Sequence, residues 1–167
     1  YTFIYMKFNL IFSSYMRTFL IILLFFIPIK GQTKDFFLDI TDQIQDNEFR
    51  LSYGVSVTDV NKDNVFDFVV TGFGFKNLAL SYKKGKLVNI INEEIFSDPI
   101  RRTIGVAACD IDKDGFEEIY FLNTDTYSGD KIYSDRLLDL NKDKFIDLFE
   151  IEKNKTDLNL TAGRSVV

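Results

Sequence analysis

Two short stretches of the chain place oxygen-bearing side chains at alternate positions. Residues 110–118 read Asp-Ile-Asp-Lys-Asp-Gly-Phe-Glu-Glu, and residues 59–67 read Asp-Val-Asn-Lys-Asp-Asn-Val-Phe-Asp. So many oxygens in so short a span repel one another unless a cation lies among them. Ca²⁺ takes six to eight oxygen ligands at about 2.3–2.6 Å, and a tight loop with this spacing supplies them. Both stretches are therefore predicted to be calcium-binding loops.

The predicted ligands occupy the first, third, fifth, seventh and ninth positions of each loop. The seventh position contributes its backbone carbonyl, and the others contribute side-chain oxygens. The sixth position requires a left-handed backbone, which Gly115 adopts freely and Asn64 tolerates better than most residues. The predicted metal ligands are Asp59, Asn61, Asp63, Val65, Asp67, Asp110, Asp112, Asp114, Phe116 and Glu118.

An EF-hand is the first alternative for these loops. It requires a bidentate Glu at position twelve and a helix on either side. Position twelve is Val70 in one loop and Phe121 in the other, and the flanking residues are rich in β-branched and aromatic types. Such residues favour strands, so each loop is expected to join two strands. The second alternative is a pair of polar hairpin turns without a metal.

A third acidic run, residues 139–150, has EF-hand spacing apart from Lys144 at its sixth position. The internal repeat described below assigns residues 141–144 to a hairpin turn instead. Lys142 and Lys144 also place positive charge where a cation would lie. A metal is therefore not favoured here.

The composition narrows the classes of function. The chain has 167 residues, 46% of them apolar, which is enough for about one domain with a core. Beyond residue 31 it carries 17 basic and 25 acidic side chains, a net charge of −8, which disfavours nucleic acid and anionic membranes as partners. The absence of His excludes His-based catalysis and a typical zinc site. Cys109 is the single cysteine, so no internal disulfide forms, and we expect a buried strand thiol.

Residues 1–31 have the pattern of a secretory signal. Met6 or Met16 is the expected start; Arg17 precedes an apolar run over residues 19–27, and Gly31 follows. The run is shorter than the roughly 20 residues of a spanning helix, although a signal anchor that begins at Met6 is an alternative. Since position 1 is not Met, we expect a fragment or translated reading frame. The rest of the chain is predicted to be secreted and extracellular, where the sequons at Asn154 and Asn159 would be glycosylation acceptors.

The order of predicted strands repeats along the chain. Residues 32–52 hold a leading strand (35–41) and a connector. The unit 53–100 holds strands at 53–57, 68–71, 78–82 and 87–91. The unit 101–150 holds strands at 104–109, 119–122, 136–140 and 145–149, and residues 151–167 form a connector and the start of a third, truncated unit. Four-stranded units at a period near 50 residues are typical of β-propeller blades, so we predict an all-β propeller fragment of about two blades from a longer protein.

Residues 53–61 and 105–115 resemble the FG-GAP/VCBS repeats of integrin-alpha-like propellers. Residues 77–80, 117–124 and 162–166 resemble the opening blades of the ASPIC/UnbV-type branch still more closely. The resemblance implies a secreted, calcium-loaded propeller of about seven blades that binds extracellular proteins or matrix components and acts in cell adhesion. Asn61 and Asn64 replace the commoner Asp and Gly of the family loop, which weakens the first site.

The sequence thus predicts a non-enzymatic, calcium-binding protein of the extracellular matrix. Two other functions stay open because a propeller fold does not fix function. One is an extracellular lyase or hydrolase whose active site lies in other blades. The other is an integrin-alpha-like receptor subunit.

Overall fold

The computed structural model describes residues 36–126, 128–156 and 158–166. The predicted signal segment, residues 1–31, lies outside the described residues. The strands all lie in the compact unit Asp39–Val167. Among the described residues, no helix has the length and apolar character needed to cross a membrane.

Two four-stranded antiparallel sheets account for most of the regular secondary structure among the described residues, and in each the strand order follows the chain. The first sheet contains β1 (Val55–Thr58), β2 (Asp67–Val70), β3 (Leu78–Lys83) and β4 (Lys86–Asn89). The second contains β5 (Thr103–Cys109), β6 (Glu118–Asn123), β7 (Arg136–Asn141) and β8 (Lys144–Asp147). The predicted all-β class is confirmed, and each observed strand overlaps its predicted position.

The hairpin between β3 and β4 shows how local sequence fixes strand register. Lys83 pairs with Lys86, so only Lys84 and Gly85 form the turn. Both have positive φ, 51° and 84°, the backbone that a two-residue turn of type I′ requires. The turn therefore sets the pairing of the two strands.

One hydrophobic core lies between the sheets. Val69 and Ala79 pair across β2 and β3 and are fully buried. They belong to one cluster with apolar residues of the second sheet, which are Val106, Ile119, Phe121, Leu138 and Phe145. A short helix between the sheets, α1 (Glu94–Ser97), adds Phe96, whose ring centroid lies 5.3 Å from that of Phe121 and 5.1 Å from that of Phe145.

Polar contacts hold α1 against both sheets. The Asn77 side-chain amide donates to the Phe96 carbonyl at 3.0 Å, and its backbone N–H donates to the Ser97 carbonyl at 2.7 Å. Glu93 accepts the N–H of Phe145 on β8 at 3.2 Å. The connector between the sheets thus ties the two sheets together.

The first strands of the two sheets, β1 and β5, lie side by side. Glycines permit the approach, because a Cβ on Gly54 would lie 3.0 Å from the Cα of Gly105. This contact lies near the start of both strands, and both strands lead into an acidic loop. The two loops are therefore brought to the same edge of the molecule.

Two expectations are wrong. Residues 36–41 form no strand: Asp39 accepts hydrogen bonds from the N–H and hydroxyl of Thr41, and this local turn competes with an extended backbone and precedes a 3-10 helix at Thr41–Gln43. Cys109 is exposed rather than buried, because it lies at the end of β5 on the face opposite to Val106.

Candidate metal centre

Each acidic loop connects the first two strands of a sheet. Residues 59–66 join β1 to β2, and residues 110–117 join β5 to β6. Antiparallel strands on both sides of each loop exclude the helix–loop–helix arrangement of an EF-hand.

The two loops share one hydrogen-bond network, position by position. The first Asp accepts the backbone N–H groups of the fifth and sixth positions: Asp59 those of Asp63 and Asn64 at 2.9 and 2.7 Å, and Asp110 those of Asp114 and Gly115, both at 3.1 Å. The third side chain accepts the N–H of the fifth position, and the fifth accepts the N–H of the seventh. The ninth side chain accepts the N–H of the second position. Each carboxylate has about four acceptor positions, so lone pairs remain for a cation.

The carboxylates of the second loop converge. One oxygen each of Asp110, Asp112 and Glu118 lies within 4.8 Å of the others. Glu118 is buried at the start of β6, whereas Asp112 is exposed, so the cluster opens toward solvent on one side. The structure thus brings together three of the predicted ligands of this loop, with Asp114 beside them.

The first loop is built around Asp67, which is fully buried at the start of β2. Its Oδ2 accepts the N–H of Val60 at 3.2 Å, while its Oδ1 is buried without a hydrogen-bond partner. Burial raises the pKa of Asp67, the hydrogen bonds from Ser81 and Val60 lower it, and the charges of Asp63 and Asp59 raise it further. A buried carboxylate oxygen without a donor is costly, and a cation in the loop would satisfy it.

The predicted ligand atoms of both loops are all oxygens, and hard cations such as Ca²⁺ prefer such a donor set. The residues therefore fit the ion. The first loop has Asn61 where the second has Asp112, so its predicted ligands carry one negative charge fewer. The Asn61 amide nitrogen also donates to Asp63 at 2.9 Å, which uses part of the acceptor capacity of that carboxylate. This difference supports the expectation that the first site is the weaker one.

The backbone of the loops agrees with the sequence at the sixth position, where Asn64 and Gly115 have φ of 64° and 93°. The sequence pattern did not predict a left-handed backbone at the fourth position. Lys62 and Lys113 also have left-handed backbones, with φ of 61° and 66°. The repeated lysine between two ligand residues is the sequence feature that could have identified this position.

This chain is similar in sequence to known proteins. The chain is 44% identical over 151 residues to Cartilage acidic protein 1 of Xenopus tropicalis, a match that covers 81% of this chain and 23% of that protein. It is 40% identical over 165 residues to the human protein of the same name, covering 87% of this chain and 25% of that protein. These proteins are homologues of this chain.

The chain spans about a quarter of the length of the curated relatives it matches. No family model matches it. The resemblance to FG-GAP/VCBS repeats therefore stays a prediction.

The third acidic run lies where the repeat placed it. Asn141 pairs with Lys144, so the run contains the hairpin turn between β7 and β8. Two of its acids are engaged by Arg136, whose guanidinium Nη1 lies 2.7 Å from Asp147 and 3.1 Å from Glu150. Arg136 precedes the run in sequence, and its positive charge offsets the charges of these two acids.

A second polar cluster, which the sequence did not reveal, surrounds the buried carboxylate of Asp135. It accepts hydrogen bonds from Tyr120, Lys131, Asn159 and the N–H of Asn123. Burial, together with Asp135, raises the pKa of Tyr120 to about 12. The i, i+4 spacing of Lys131 and Asp135 is the only trace of this cluster in the sequence.

Both predicted glycosylation acceptors use their amide nitrogens within the fold. Asn154 donates to the carbonyl of Leu148 at 2.7 Å, and Asn159 donates to Asp135. Glycosylation at Asn154 and Asn159 stays a prediction.

Proposed function

We propose that this chain is part of a secreted, calcium-binding β-propeller protein of the extracellular matrix, which acts by binding other proteins rather than by catalysis. The observation that carries the calcium part is the matched network of the two loops. Equivalent side chains accept equivalent backbone hydrogen bonds in the two loops. Two loops that repeat the same arrangement in two sheets are much stronger support for a metal than one.

The propeller part of the proposal is supported by the repeated meander. Each sheet has four antiparallel strands in chain order, and the first strands of the two sheets meet at Gly54 and Gly105. Neighbouring propeller blades pack in this way around a central axis. Homologues that are about four times longer offer room for further blades.

The extracellular part is supported by the name of the homologues, which places them in cartilage and calls them acidic. This chain is acidic too, with a net charge of −5. The apolar segment at residues 19–27 would direct secretion. Expression with residues 1–31 present should place the protein in the culture medium, and their deletion should retain it in the cells.

In this proposal calcium fixes the loops that join the inner strands. An ion that binds only the folded state stabilises it by about 2.7 kcal/mol at a hundred times Kd. The melting temperature should therefore rise with calcium. Asp110→Ala combined with Asp114→Ala should remove the contribution of the second loop, and Asp59→Ala combined with Asp63→Ala that of the first.

Asp139→Ala combined with Asp143→Ala is the matched control, because it removes two acids from the β7–β8 hairpin rather than from a loop. It should leave the calcium response intact. Calorimetric titration measures the binding of calcium. Thermal unfolding in calcium and in chelator measures the stability that calcium adds. A wild-type protein that neither binds calcium nor gains stability from it would overturn the proposal.

A further inference from the structure

Lys62 belongs to the first loop but contacts the second. Its Nζ lies 3.9 Å from Oδ2 of Asp114 and 4.2 Å from the centroid of the Phe116 ring. Its side chain is only 25% exposed. Residues of both loops line a cleft of about 400 Å³ at this place, including Asp59, Asp110 and Phe116.

The position of the Lys62 ammonium group matters because the two oxygens of Asp114 have different hydrogen-bond partners. Its Oδ1 already accepts the N–H of Phe116 at 2.8 Å. Oδ2 is therefore the oxygen with more free acceptor capacity for a metal, and Lys62 faces that oxygen. Phe116 is the seventh-position residue, so the lysine contacts two of the predicted ligand residues at once.

We propose that Lys62 is a built-in counter-cation of the second loop, which lowers the calcium affinity of that loop and couples it to the first. The inference rests on the proposed calcium function. In the calcium-free protein the ammonium group offsets the repulsion among the clustered carboxylates. A calcium ion must then enter against this charge, at a separation where Coulomb interactions near a protein surface are still substantial.

The arrangement is asymmetric between the loops. Lys113 is the equivalent residue of the second loop, with the same left-handed backbone. It is exposed, and among the described residues it takes part in none of the ion pairs. The coupling therefore runs from the lysine of the first loop to the acids of the second.

The test compares Lys62→Met with Lys113→Met. Both variants remove one positive charge and keep a long side chain, but only the first removes the contact to Asp114. Calcium titrations followed by the backbone NMR signals of Gly115 and Asn64 read the two loops separately. We expect Lys62→Met to tighten binding at Gly115 by about three- to tenfold, and Lys113→Met by less than about twofold.

A second readout separates this role from a merely structural one. In chelator, Lys62→Met should melt at a lower temperature than wild type, because the ion pair and the ring contact are lost. In saturating calcium this difference should disappear or reverse. The Lys113→Met variant should show no such crossover.

The possible failures are distinguishable. If the Gly115 signal of the wild type does not respond to calcium, the proposed function itself is wrong. If it responds, but Lys62→Met and Lys113→Met change the affinity equally, calcium binding stands and the counter-cation inference is overturned.

Discussion

At the residue scale, Asp67 shows what a buried carboxylate costs the fold. The carboxylate is fully buried and Oδ1 has no donor, so its ionised form is disfavoured and its pKa is raised, first by burial. Above the unfolded pKa the folded protein therefore binds more protons than the unfolded one. Stability that is present at low pH is lost as the pH rises through the folded pKa.

Asp67→Asn should consequently stabilise the calcium-free protein at neutral pH. The amide can accept from Val60 and donate to Ser81 without carrying a buried charge. The melting temperature at pH 7 should therefore rise, by about 2–4 °C for each kcal/mol of stability gained. Thermal unfolding in chelator at pH 7 and pH 4 measures it, and the gain should shrink at pH 4.

Asp63→Asn is the control for this prediction, because it neutralises an exposed carboxylate of the same loop. It should give no comparable gain. Equal gains from Asp67→Asn at both pH values would show that burial of the charge is not the cause. In saturating calcium the order should invert, with Asp67→Asn less stable than wild type.

The sequence predicted that the two acidic loops join strands, but it did not predict the contacts that their side chains make with each other. Alternation of oxygen donors is a local pattern, so it can be read from spacing, and the left-handed backbones of Asn64 and Gly115 follow from residue type. The contact between Lys62 and Asp114 joins residues of two sheets. Nothing in a local pattern indicates which side chain of another loop will lie beside a ligand.

At the element scale, strands and hairpins were predictable, whereas α1 was not. The strands follow from β-branched and aromatic runs between polar turns, which are local properties. A helix of four residues is unstable alone, and Pro99 follows it closely in the sequence. Tertiary contacts stabilise α1: Asn77 donates hydrogen bonds to two of its carbonyl groups, and Phe96 is buried between the sheets.

The burial of Phe96 leads to a prediction about α1. Phe96→Ala leaves a cavity between Phe121 and Phe145, and such truncations of buried aromatic residues cost about 3–5 kcal/mol. Ile100→Ala, in the same connector but 64% exposed, should cost much less. Urea unfolding followed by circular dichroism compares the two. Similar losses for both variants would mean that α1 is not a tie between the sheets.

At the scale of the whole molecule, the internal repeat predicted two similar sheets but not how they join. The repeat describes each unit by itself, and several of the joining contacts come from the connector between the sheets, which lies outside the repeated strands. Arg136 on β7 binds Asp98 just after α1, and Glu93 just before α1 accepts an N–H of β8. Together with the shared core, these contacts make the connector part of both sheets.

The shared core predicts one cooperative unfolding transition. Val69 and Ala79 of the first sheet lie in the same cluster as Phe121 and Leu138 of the second, so neither sheet can expose its inner face alone. Scanning calorimetry should give a calorimetric enthalpy equal to the van't Hoff enthalpy. Calcium should shift this single transition as a whole, although each loop belongs to one sheet. Two resolved transitions, with only one of them sensitive to Asp110→Ala, would show that the sheets are independent.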